Sequence, residues 1–220
     1  MAALTGRQIA DENLHGWAHL LGGLQTRVAT GDFTTGLAIV NAIGAVAGEL
    51  GHQPELDLRP DHVDVRLTSH DGGVTEREVR LARAVTAAVE AADLRLSAAA
   101  VSRLELGLDT PAREKILPFW VAVLAMEHVS GPADFVDELR DPYLPTIWFQ
   151  ASGSEEPRQR WHPDVWVEPA QVQPRIDAAI AAGGTLVSDA EAPKFWVLAD
   201  PEGNRVCLCT ALDRPAPPGS

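Results

Sequence analysis

Apolar residues recur at two distinct periods along this chain, and the switches between them mark out its elements. Phe33, Leu37, Val40, Ile43, Val46 and Leu50 follow one another at steps of three or four, which predicts an amphipathic helix. Asp32 stands before it as an N-cap and Gly51 after it as a stop. Val63, Val65 and Leu67 then alternate with Asp64, Arg66 and Thr68, the period of a half-buried strand at 63–68. Thr75-x-x-Glu78 is a capping box, and it opens a helix whose apolar positions are Val79, Ala82, Val85 and Val89. Ahead of these, a short helix is expected over 4–13 and a strand over 16–27.

Beyond an Ala-rich junction at 94–101 the order of elements is repeated. Residues 103–108 read as a strand, 111–126 as a helix with Pro111 at its first position, and 146–150 as a strand. Residues 161–167 read again as a strand and 171–182 as a helix ending at Gly183-Gly184. Strands at 185–187, 195–199 and 205–210 follow, the last two joined by the turn Asp200-Pro201-Glu202-Gly203-Asn204. The pattern gives an α+β protein of two domains, 1–97 and 98–213, with a disordered Pro- and Gly-rich tail at 214–220.

A hydrophobic fraction of 45% provides a core without staples. No run of about 18 apolar residues and no signal-like leader occur, so a cytoplasmic protein away from the membrane is expected. The net charge of −13, spread over both halves, argues against nucleic-acid partners, which need a basic footprint. Cys207 and Cys209, assigned to opposite faces of one strand, are not expected to pair.

The candidate chemistry lies in Gly51-His52-Gln53-Pro54-Glu55 and, one strand later, Thr68-Ser69-His70-Asp71-Gly72-Gly73. Two imidazoles near element ends, with carboxylates nearby, can exchange protons near neutral pH. With Thr75-Glu76-Arg77-Glu78 behind them, these motifs resemble those of the pterin-4a-carbinolamine dehydratases over about residues 4–92. The resemblance implies an N-terminal α/β sandwich with an antiparallel sheet, a small-molecule pterin substrate, no cofactor and a homo-oligomer. It implies a hydro-lyase that eliminates water from a 4a-hydroxytetrahydropterin, with His52 and His70 as acid and base. Gln53, Pro54, Glu55, Glu78 and His62 are the substrate-binding candidates. Glu55 would orient His52, and His62 would approach the same cleft from the strand start. Gln53 stands where the family has a second His, and Glu78 where it has an Asp.

The second module carries Pro118-Phe119-Trp120-x-x-Val123-Leu124, Trp161-His162-Pro163-Asp164-Val165-Trp166-Val167, Ala181-Ala182-Gly183-Gly184 and the 200–204 turn. These resemble the glyoxalase, or vicinal oxygen chelate, fold over about 102–212, which implies a paired βαβββ module. The resemblance places Glu105, Gln150, His162 and Cys207 near the four metal-ligand positions. Two of these are unusual donors, so no catalytic metal is expected. Glu105, His162 and Cys207 remain as candidates for zinc. Two alternatives stay open: a metal-dependent glyoxalase or dioxygenase, and a non-catalytic small-molecule binder.

Overall fold

The structure is a computed structural model, and it describes residues 2–70, 72–130, 137–141, 144–151, 161–199, 203 and 205–214. By internal packing the described residues form two units, one within 2–102 with 167–172 and 210–214, the other within 103–166 and 173–209. Of the residues that the sequence reading assigned to the second domain, 167–172 and 210–213 thus group with the first.

The first unit opens with α1 (Gly6–Asp11), held by a capping box between Thr5 and Gln8. In place of one strand over 16–27 there are two, β1 (Ala18–Leu20) and β2 (Gly23–Ala29), paired antiparallel. Leu21 and Gly22 join them with φ of 45° and 68°, and this pair of left-handed residues turns the chain in two positions. Next come α2 (Phe33–Glu49), β3 (Glu55–Leu58), β4 (His62–Leu67), α3 (Glu76–Ala91) and β5 (Leu96–Ser97). The sheet runs β1-β2-β4-β3, with β5 also on β2, and every pair is antiparallel. Ile39, Ile43 and Ala47 of α2 and Val79, Ala82, Val85 and Val89 of α3 form the core with Leu24, Val28, Val63, Val65 and Leu67 of the sheet.

The buried face of α3 is the one the sequence predicted. That of α2 is so only in part. Phe33 and Leu37 are 55% and 46% exposed, and the buried stripe is Gly36, Ile39, Ile43 and Ala47. No charged residue occurs between Phe33 and Gly48, so hydrophobic periodicity could not choose the face. Close approach chose it instead, because a Cβ on Gly36 would lie 2.6 Å from Leu58 Cδ1.

His19 of β1 lies opposite Leu24 and is therefore on the core side of the sheet. Burial pushes its pKa down to about 4, and its Nδ1 has no hydrogen-bond partner among the described residues. The sequence reading gave it no attention.

The second unit is β6 (Arg103–Thr110), α4 (Arg113–Leu124), β7 (Glu127–Val129), β8 (Glu138–Arg140) and β9 (Thr146–Ala151). It continues with β10 (Trp161–Trp166), α5 (Val172–Ala181), β11 (Thr185–Ser188), β12 (Phe195–Ala199) and β13 (Arg205–Cys209). This is the βαβββ unit twice, including two short strands, β7 and β8, that were not predicted. All eight strands form one sheet in the order β11-β12-β13-β10-β6-β9-β8-β7, with the pairs β10–β13 and β6–β9 parallel. Helix α4 begins two residues later than predicted, with Ala112 as its cap and Pro111 outside it.

Cys207 and Cys209 are not joined in a disulfide, but not because they face apart. Residues two apart on a strand share a face; their Cα atoms stand roughly 6.6 Å apart along an extended strand, at the far limit of disulfide geometry. The 200–204 turn, apart from Gly203, lies outside the described residues. So does the predicted tail, apart from Arg214, whose Nε donates to the Thr210 carbonyl at 2.9 Å.

Candidate active site

His52 owes its position to the way α2 ends. Gly51 takes a φ of 61°, a conformation open to glycine at little cost, and reverses the chain. Its N–H donates to the Gly48 carbonyl and that of His52 to the Ala47 carbonyl at 3.0 Å, a Schellman closure of the helix. The Arg77 guanidinium donates to the Gly51 carbonyl, which ties this corner to the start of α3. Held in this way, His52 places Nε2 at 2.6 Å from Glu78 Oε1, with side chains only 9% and 1% exposed.

Glu78 is at the third position of α3 and closes the capping box. Its Oε2 accepts from the Thr75 amide at 2.7 Å and from the Thr75 hydroxyl at 2.6 Å. Burial pushes the Glu78 carboxyl up, but the bonds from Thr75 and His52 outweigh burial and hold it below the usual glutamate value. The carboxylate is thus ionised and can only accept, so the proton in the His52–Glu78 bond sits on Nε2. His52 Nδ1 is the nitrogen left to exchange a proton with a ligand.

An open groove of about 630 Å³ lies beside this pair. Gly44, Ala47, Gly48, Gly51 and Leu56 give it an apolar wall, and His52, Gln53 and Pro54 complete its lining. His70 is exposed, in the turn between β4 and α3, and is not among the lining residues. It nevertheless projects from the same end of the sheet. Glu55 pairs with Arg66 across β3 and β4, so His52, before Glu55, and His70, after Arg66, both leave that end.

Two of the expected assignments fail. Glu55 does not orient His52, because its carboxylate takes the Arg66 Nη1 at 2.6 Å; the partner of His52 is Glu78. His62 is at the far end of β4, opposite Ala29, with its Nδ1 2.7 Å from Asp61 Oδ1. Some five residues of extended strand, roughly 17 Å, separate it from the groove end.

The second unit gathers a separate polar face. Asp164 is in register with Glu105 on β6 and with Cys207 on β13, and His162, two residues earlier, shares its side. His162 lies over Gly107, where a Cβ would come within 2.5 Å of its Cε1, and meets the Trp148 ring edge-on at 5.3 Å. Trp161 points the other way and packs edge-on against Trp120.

The sequence profile described as pterin 4 alpha carbinolamine dehydratase matches residues 2–88, and that of the glyoxalase-like domain matches residues 105–209. A protein of Aquifex aeolicus, provisionally named a pterin-4-alpha-carbinolamine dehydratase, is 37% identical over 75 residues, 34% of this chain and 76% of its own. The chain belongs to the pterin-4a-carbinolamine dehydratase family. A relative of the same provisional name from Acidobacterium capsulatum is 34% identical over 90 residues, 40% of this chain and 98% of its own. A crystal structure of a transcriptional coactivator/pterin dehydratase from Brucella melitensis is 27% identical over 40% of this chain and 98% of its own, with a TM-score of 0.38. No helix among the described residues is long and apolar enough to cross a membrane.

Within the dehydratase-family domain the histidine expected at position 53 is replaced by Gln53, an exposed residue lining the groove, whose amide can donate and accept hydrogen bonds but transfers no proton at neutral pH. In the glyoxalase-like domain the four positions implied by the fold do not fit a metal. Glu105 Oε2 accepts from the Trp166 indole N–H at 2.6 Å, and Gln150 is exposed near the end of β9. Among the described residues, three side chains of the kind that can ligate a metal do converge: His162, Asp164 and Cys207. Asp164 was missed because the sequence gives no strand register; its one signal was the spacing His162-x-Asp164, which puts both on one side of a strand.

Proposed function

We propose that this chain dehydrates a 4a-hydroxytetrahydropterin to the quinonoid dihydropterin, with His52 as the principal proton-transfer group. The observation that carries this reading is the 2.6 Å bond between His52 Nε2 and the buried Glu78 at the edge of the groove. In the reaction the C4a–O bond breaks and its electron pair leaves with the hydroxyl, which takes a proton and departs as water. The N5–H proton is lost to a base, and the N–H electron pair forms the C4a=N5 bond. One imidazole gives a proton and another takes one, so the step balances with two histidines. His52 at the groove and His70 at the same end of the sheet supply them in this reading. Glu78 acts through His52 by fixing its tautomer and ring plane.

The groove's volume lies within the range of small-molecule sites. Its wall of small residues leaves the flat bicyclic ring room to lie along α2. A homo-oligomer and a cytoplasmic setting belong to the same proposal, and light scattering of the purified chain checks the first. Turnover of synthetic 4a-hydroxytetrahydropterin by the whole chain tests the activity itself. A rate equal to the uncatalysed one would reject it.

Gln53→His should tighten pterin binding or raise turnover, since it adds a titratable ring at an exposed edge of the groove. A gain of about tenfold corresponds to the net worth of one good hydrogen bond. Titration of the variant with a pterin, alongside steady-state rates, checks this. Flat or lower values of both would mean that Gln53 does not face the ligand.

A further inference from the structure

We propose that His162, Asp164 and Cys207 of the glyoxalase-like domain form a zinc site with one open coordination position. The set differs from the one that the fold implies, because Asp164 supplies the carboxylate and Glu105 does not. One ligand atom from each of the three side chains lies within 4.8 Å of the others. Zinc bonds of about 2.0–2.3 Å in tetrahedral array put ligand atoms roughly 3.3–3.8 Å apart. A closure of about 1 Å, within reach of ordinary side-chain torsions, converts one spacing into the other.

The surroundings are built for these three groups. Gly107 has no side chain where His162 lies, and the Trp148 edge flanks the imidazole. Asp164 is buried, 3.6 Å from His162 Nε2 through Oδ1, and β13 brings Cys207 directly beside it. Asp109 is on the same face two residues beyond Gly107, and its buried Oδ1 meets no donor among the described residues. A face that holds Glu105, Asp109 and Asp164 favours a cation. Imidazole with thiolate selects zinc over the hard cations, which need six or more oxygen ligands. Three protein ligands leave a fourth position for water or a ligand oxygen, as in catalytic rather than structural zinc sites.

The proposal is independent of the dehydratase reading, and its test reads metal rather than activity. The whole chain, purified without chelator or affinity metal, should carry about one zinc per chain. Replacement by cobalt(II) should give a thiolate-to-cobalt charge-transfer band. His162→Ala, Asp164→Asn and Cys207→Ser should each weaken zinc binding by more than the ~10–100-fold typical of losing a supporting group. Glu105→Gln, which removes a neighbouring charge but no ligand, should weaken it by less than any of the three. No zinc in the unmodified chain, or cobalt bound without the band, would overturn the site. So would affinity lost in Glu105→Gln and kept in Asp164→Asn. If a variant fails to fold, as read by circular dichroism, the cobalt spectrum of the unmodified chain still decides.

Discussion

Turnover of a 4a-hydroxytetrahydropterin should fall by roughly 10²–10⁴-fold in His52→Ala, the span expected for loss of a general acid–base group. His52 is the one imidazole that both lines the groove and has its Nε2 held by a carboxylate. Its removal takes away the nitrogen proposed to transfer the proton and leaves the buried Glu78 without its His52 partner. His70→Ala should lose a comparable factor if the exposed imidazole closes on the substrate. Steady-state rates for the two single variants and the double variant check this, and near-native turnover in the double variant would end the dehydratase assignment. Glu78→Gln separates orientation from capping. Glutamine at this position still completes a capping box, as Gln8 does in α1, but gives up the ionised partner of Nε2. The expected result is a lower kcat with KM and melting temperature nearly kept. A kcat that does not move would mean that Glu78 is only a cap.

Stability should fall by about 3 kcal/mol between pH 6.5 and pH 4 on account of His19 alone. Burial lowers its folded pKa from 6.5 to about 4, whereas the unfolded chain titrates at the ordinary value. Between those values the unfolded state binds the extra proton, so stability rises with pH through the window and is lost as pH falls. Each unit of difference is worth about 1.4 kcal/mol. Below pH 4 both states are protonated and this contribution levels off. Urea unfolding at pH 7, 5.5 and 4.5 checks it against His19→Gln, whose uncharged amide does not titrate. The difference in stability between the two proteins should shrink or change sign as the pH drops. Parallel profiles would show that His19 is hydrated in the folded state.

Much of the frame was legible along the chain. The Thr75-x-x-Glu78 box and the stripe Val79, Ala82, Val85 and Val89 depend on contacts within one turn or one helix face, and α3 forms as read. The alternation at 63–68 and the repeated order of elements after residue 102 are local in the same sense. Helix α2 was legible in extent but only partly in orientation, since a stretch without charge marks its outward side weakly. The hairpin at Leu21-Gly22 and the strands β3, β7 and β8 were missed, being three to seven residues long or split by a turn too short to register.

For the candidate sites, sequence alone picked out the candidates for chemistry: His52, His70, Glu78, His162 and Cys207 stand out by type and spacing. Only tertiary structure decided the partnerships. Glu55 and Glu78 are both carboxylates within one motif's reach, and the antiparallel register of β3 on β4 commits Glu55 to Arg66. The turn at Gly51 commits His52 to Glu78. Likewise the register of β6, β10 and β13 sets Asp164 between Glu105 and Cys207, and the Trp166 indole then engages Glu105. A side chain's type is written in the sequence, but an interaction that falls off within a few ångströms depends on which strands lie side by side. Residues 43 to 61 positions apart become neighbours only when the sheet closes.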